Sequence, residues 1–185
     1  MLSLKNHFLM AMPHLEDSPF AGSLCYLCDH DDNGTMGVMV NRPLELTLDA
    51  LLEQLELEIQ DPSALSAPVY FGGPVHKDRG FILHRGDSSD WDSSLQVSEE
   101  IALTTSMDIL QALAKGEGPE HFLVCLGCSG WEPGQLEEEL KDNAWLTVEG
   151  RADILFELPP EQRLQASAGA LGVDLNLMTR EAGHS

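Results

Sequence analysis

"FLVCLGCSGWEPGQLEEEL", residues 122–140, is the stretch on which the reading of the fold turns. The run 121–127 (HFLVCLG) is almost wholly apolar, which predicts a central strand covered on both faces. Pro133 suits the first turn of a helix over 133–143, with Leu136 and Leu140 four apart on its inner face. Between them lies a glycine turn, 127–135. Many α/β enzymes place a nucleophile or cradle an anion at such a strand-turn-helix junction. A nucleophile elbow requires G-x-S-x-G, but here the order Gly127, Cys128, Ser129, Gly130 ends on the indole of Trp131. The turn therefore reads as a tight connection with Trp131 as its packing anchor.

Working outward, the same alternation of short elements continues without repeats or linkers. Residues 22–30 form a β-rich run that ends at Asp31-Asp32-Asn33-Gly34, a hairpin turn because Asn-Gly tolerates positive φ, and 35–43 is the return strand. Thr47 caps a helix whose apolar face is Leu48, Leu51, Leu52 and Leu55. After a Pro/Ser loop over 58–68, residues 68–75 and 80–84 read as short strands joined by a glycine-containing turn. The polar run 85–94 reads as an exposed, mobile loop. One or two strands follow over 95–106, then a helix capped by Ser106 and stopped at Gly116. Residues 144–150 and 151–158 suggest a hairpin around Glu149–Gly150. A last helix from Pro160 buries Leu164, Ala168 and Leu171. Strands outnumber helices and no serial βαβ pattern exists. The expected class is α+β, a single domain over 1–174 with one large mixed, mainly antiparallel sheet and three to four helices, followed by a flexible tail at 175–185.

Charge narrows the function. The chain of 185 residues has 31 acidic against 10 basic side chains, a net charge of −21. Duplex DNA is held by Lys and Arg neutralising phosphates, and no basic run exists beyond the pair Lys77 and Arg79, which argues against direct nucleic-acid binding. No segment is apolar for the length a bilayer requires, and anionic lipid surfaces repel such a chain. The apolar patch near the start contains Asn6 and His7 and is followed by Glu16 and Asp17, so it reads as a mature N-terminus and the protein as cytoplasmic.

Four long segments, 6–52, 69–84, 102–119 and 127–146, resemble the AlgH/YqgE family of bacterial proteins, in the family's order and over about Leu4 to Val173. The resemblance implies an α+β fold with a large mixed sheet and no recognised DNA-binding motif. It also implies a transcriptional-regulator label inherited from a genetic link to alginate production. The family pattern has an aromatic residue at 128 and a small one at 129; this chain departs from it with Cys128, which argues against a family-wide role for that thiol.

Each residue type with chemical potential also has a structural role open to it. Cys25/Cys28 and Cys125/Cys128 have the spacing of zinc half-sites. Cys25 and Cys28 lie within a strand, however, where positions three apart face opposite ways, so all four read as small buried hydrophobes. His30, beside Asp31 and Asp32, reads as a hydrogen-bonded turn histidine or a weak ion site, and His84 as a structural strand-end residue. What remains is a set at strand ends: His30, Asn41, Arg42, Gly72, Gly73, Pro74, Gly130, Trp131 and Gln135. Arg42 is notable because cations are scarce, and its fork suits a carboxylate or phosphate. This set predicts either folding roles or a groove for a protein partner or small anionic ligand. No catalytic set, metal site or cofactor is predicted. The functions that follow are an indirect regulator acting through protein or small-ligand binding, or else a small-molecule binder or enzyme using a groove near Arg42 and Trp131.

Overall fold

The computed structural model describes residues 3–11, 22–61 and 65–171, so the expected tail at 175–185 lies outside the described residues. Alternation of period two builds the sheet. Strand β1 (His7–Ala11) sends Phe8 and Met10 to one face and Leu9 to the other, and β2 (Leu24–Asp31) divides Leu24, Tyr26 and Cys28 from Cys25 and Leu27. The Asn33-Gly34 hairpin forms as expected, with Asp31 opposite Gly34 in β3 (Gly34–Met39). The return strand is shorter than 35–43: Pro43–Thr47 form a separate strand, β4.

Helix α1 (Leu48–Gln54) follows, then β5 (Pro68–Phe71), β6 (Val75–Arg85), β7 (Ser94–Gln96) and β8 (Ile101–Thr104). The chain continues with α2 (Met107–Ala114), β9 (Phe122–Trp131), α3 (Gln135–Lys141), β10 (Trp145–Glu149), α4 (Ala152–Phe156) and α5 (Pro160–Ala170). The ten-stranded sheet runs β10-β1-β2-β3-β9-β6-β8-β7, with β5 also on β9 and β4 on β5. Every pairing is antiparallel except β5 with β9, so the sheet is mixed and mainly antiparallel. The α+β class holds.

Three clusters of apolar side chains fill the two faces. One face carries Phe8, Tyr26, Leu83, Leu103 and Cys125 beneath α4 and α5. On the other face, α1 and α2 cover Val69, Ile82 and Val124, while α3 covers Leu9, Leu27 and Met39. Strand β9 supplies Leu123 and Cys125 to the first face and Val124 to the second, so it is the doubly covered strand its composition predicts.

Several expectations are corrected. Residues 151–158 are not a strand: Ala152 and Leu155, three apart, seat α4 on the sheet, which makes five α-helices among the described residues. The run Ile154-Leu155-Phe156 fits a strand or a buried helix equally, since periodicity cannot separate them at that length. The turn before β6 is Gly72–Pro74, and β6 runs on from Val75 through Arg85. In place of a plain loop at 85–94, residues 88–90 make a 3-10 turn, and the partly buried Trp91 meets the His84 ring edge-on at 6.3 Å. Thr47 and Ser106 stand at the N-cap positions, but their hydroxyls bond the Asp49 and Asp108 carboxylates and accept no helix amide; in α2 it is the Asp108 carboxylate that accepts the Ile109 amide, at 3.0 Å. Leu55 and Leu171 are exposed. In α5 Ala168 is buried as expected and Leu164 partly so, while Arg163 and Ser167 complete the buried face. Arg163 donates from Nη1 to the Val40 carbonyl at 2.6 Å and from Nε to that of Leu158 at 3.2 Å, with its guanidinium 5.1 Å above the Tyr70 ring.

Candidate functional site

The expected turn at 127–135 is mostly strand. β9 continues through Gly127 to Trp131, and only Glu132–Gly134 connect it to α3. The reason lies in a change of neighbour along β9. Its Cys125 and Leu126 pair with β5, whereas its Ser129, Gly130 and Trp131 pair with β3. At the changeover Gly127 adopts φ 81°, and the chain leaving β5 crosses it at Gly72 and Gly73. A Cβ on Gly72 would lie 2.2 Å from the Gly127 carbonyl oxygen, and one on Gly127 would lie 2.3 Å from that of Gly73. Both separations are far inside contact distance, so these glycines allow two backbones to touch. Pro74, exposed, then directs the chain into β6.

Ser129 is fully buried and donates its hydroxyl to the Gly72 carbonyl at 3.4 Å, so it is no elbow nucleophile. Gly130 is exposed with open space around it. Trp131 is buried, edge-on to Trp145 with ring centres 6.0 Å apart. The two indole N–H groups donate to the same Glu139 oxygen, at 3.0 and 2.8 Å, and the Gln135 amide donates to the other oxygen at 2.9 Å. The Gln135 carbonyl accepts the Glu132 amide at 2.9 Å. One carboxylate thus gathers three donors from β9, α3 and β10.

Asn41 bridges the start of β2: its Oδ1 accepts the Leu24 amide at 2.9 Å and its Nδ2 donates to the Gly22 carbonyl at 3.0 Å. Arg42 is half-buried, and its carbonyl accepts the Phe71 amide at 2.9 Å, which sets it beside the Gly72–Pro74 turn. Trp131 lines a recess of about 270 Å³ with Asp29, Asp31, Asn33, Gly34, Thr35 and Met36, and Arg42 is not among its walls. The glycine turn and Arg42 lie together; Trp131 and Gln135 form a second group with α3.

His30 is buried. Its Nδ1 accepts the Leu4 amide at 2.7 Å, which places the proton on Nε2, and Nε2 donates to Glu137 at 2.7 Å. His84 donates from Nδ1 to the Arg85 carbonyl at 3.2 Å, so its Nε2 accepts the Thr104 hydroxyl at 2.8 Å, and the Thr104 oxygen meets the Ser94 hydroxyl at 2.7 Å. Burial holds the His84 pKa below the usual 6.5. The four cysteines are buried thiols. Burial pushes the Cys125 pKa up to about 12 and raises those of Cys25, Cys28 and Cys128. Such thiols are poor nucleophiles. Among the described residues no cluster of three or more His, Cys, Asp or Glu side chains is arranged to hold a metal ion.

Sequence reasoning missed a cleft of about 670 Å³ on another part of the molecule. Its walls include Asn6, Arg85, the β7–β8 turn at Ser98–Glu100, and the β10–α4 junction at Glu149–Asp153, with Glu157. Arg85 Nη2 pairs with Glu157 at 2.9 Å, while its buried Nε has no partner. Arg151 grips Asp153 through Nε at 3.1 Å and Nη2 at 2.6 Å. The floor is tight: the Tyr26 hydroxyl donates to Asn6 Oδ1 at 2.6 Å, and Asn6 has φ 64°. The one signal in the sequence was that two of ten basic residues lie here.

A family model described as AlgH-like matches residues 8–176. A UPF0301 protein of Chromohalobacter salexigens is 71% identical over 185 residues, covering all of both chains, and one of Thioalkalivibrio sulfidiphilus is 52% identical over 97% of this chain and 96% of its own. The solution structure of the AlgH protein of Pseudomonas aeruginosa superposes with a TM-score of 0.81 at 49% identity, covering 97% of this chain and 96% of that one. A crystal structure of a Corynebacterium diphtheriae protein shares the fold, with a TM-score of 0.76 at 17% identity over 97% and 93% of the two chains. The chain belongs to the AlgH-like family.

Proposed function

We propose that this AlgH-like protein is a cytoplasmic, non-enzymatic interaction protein that regulates indirectly, through contacts with other proteins and not with DNA. The observation that carries this reading is that the fold occupies the side chains able to do chemistry. Ser129 bonds a backbone carbonyl, the thiols are buried with raised pKa values, and His30 and His84 have both ring nitrogens committed. A net charge of −21 favours a basic protein surface as partner and opposes a polyphosphate one.

The test combines a mobility-shift assay on duplex DNA with copurification of the tagged full chain across a salt series. The expected result is no DNA shift, together with a stoichiometric partner whose retention falls as salt rises. DNA binding with a steep negative salt slope would overturn the reading.

A further inference from the structure

We propose that the cleft between the β7–β8 turn and the β10–α4 junction binds a small molecule bearing both a carboxylate and ammonium groups, with basic α-amino acids as the best-fitting class. Its volume of about 670 Å³ is that of a small-ligand pocket. Both charge signs stand in its walls. Arg85 and Arg151 supply planar forks that match a carboxylate, and each is now held by an acid, the exposed Glu157 or the half-buried Asp153, that a ligand carboxylate can replace. The unpartnered Nε of Arg85 shows that its present pose leaves a donor unused. A ligand carboxylate in place of Glu157 keeps the bond to Nη2, and a shift of the guanidinium that uncovers Nε adds a second.

Glu99, Glu100 and Glu149 line the same cleft, exposed and in no ion pair among the described residues. Two arginines against five carboxylates leave three negative charges in excess, which selects a ligand with net positive charge. A diamine would leave the arginines facing like charge, and a dicarboxylate would face the acids. A molecule with one carboxylate and two cationic groups answers both walls. The floor is held ready, since Asn6 keeps its left-handed backbone through the Tyr26 hydroxyl and through the Gly150 amide, which donates to its carbonyl at 2.8 Å. Any Cβ on Gly150 would lie 2.7 Å from Asn6 Oδ1 and from the Tyr26 ring.

The test is a titration of the nitrogen-15-labelled full chain, followed by amide NMR at constant ionic strength, with L-lysine, cadaverine and glutarate in parallel. L-lysine is expected to give saturable shifts confined to residues 98–101 and 149–153, with no saturable response to the other two. Glu149→Gln and Arg151→Gln, both exposed positions, are each expected to weaken the apparent affinity about tenfold or more, the value of one charge-assisted bond. An absence of saturable shifts with L-lysine would overturn the proposal. So would cadaverine binding as well as lysine, or unchanged affinity in both variants. The protein-partner reading has its own test and survives any of these results.

Discussion

The glycine crossing and the charged cleft are built in opposite ways. At the crossing, Gly72, Gly73 and Gly127 bring backbones into contact, and nearby polar atoms such as Ser129 Oγ are satisfied internally. At the cleft, Glu99, Glu100 and Glu149 face solvent with no ion pair among the described residues, and a buried guanidinium nitrogen has no partner. Glycine-rich strand ends draw attention in a sequence because few residues suit such backbone. Here that scarcity reflects packing, while the proposed ligand cleft lies where side chains remain unsatisfied.

The contrast breaks if substitution at the crossing is tolerated. Gly127→Ala forces a Cβ to 2.3 Å from the Gly73 carbonyl at φ 81°, and the expected cost is about 4 kcal/mol or more, read as loss of the cooperative urea transition. An unchanged midpoint would remove the crossing from the structural side of the comparison. Next in size, Glu139→Ala strips the acceptor from two indoles and an amide, and is expected to cost about 3 kcal/mol. Tryptophan emission should change with it, since Trp131 and Trp145 are two of the three tryptophans. A variant with wild-type midpoint and emission would show that the clamp contributes nothing.

A smaller effect is expected from His84. Because its pKa in the folded protein lies below 6.5, the unfolded chain binds the proton more readily. Stability is then complete above about pH 6.5 and declines as pH falls from there toward the folded pKa. Urea midpoints between neutral and mildly acid pH should show this slope, and His84→Gln should flatten that part of it; an identical slope in the variant would assign it to other groups. Smallest of all, Glu149→Gln at the exposed cleft wall should change stability by no more than about 0.5 kcal/mol. A large loss there would make the cleft as structural as the crossing.

The fold was legible wherever composition and period agreed. The doubly apolar run at 122–127 marked the central strand, and Asn33-Gly34 marked the hairpin. Helix α4 was not legible because its apolar run is too short to show a period. Arg163 was not, because an arginine on a helix reads as a solvated face; its burial depends on carbonyls at Val40 and Leu158 that only the fold supplies. The candidate residues were found as chain neighbours, which is why their packing roles emerged together. The cleft draws on Asn6, Arg85, residues 98–101, residues 149–153 and Glu157, segments that share no motif and are gathered by two separate pairings, Arg85 with Ile101 in β6–β8 and His7 with Glu149 in β1–β10.

That closure has a consequence for how the protein is made. His7 faces Glu149 and Ala11 faces Trp145 in the β1–β10 pairing, so β1 must wait for a strand that follows every other strand of the sheet in the chain. Until Trp145–Glu149 has left the ribosome, one edge of β1, with its fully buried Phe8, Leu9 and Met10, stays open to other growing chains. Slowing elongation between β1 and β10 should prolong that exposure, whereas slowing it beyond β10 should not.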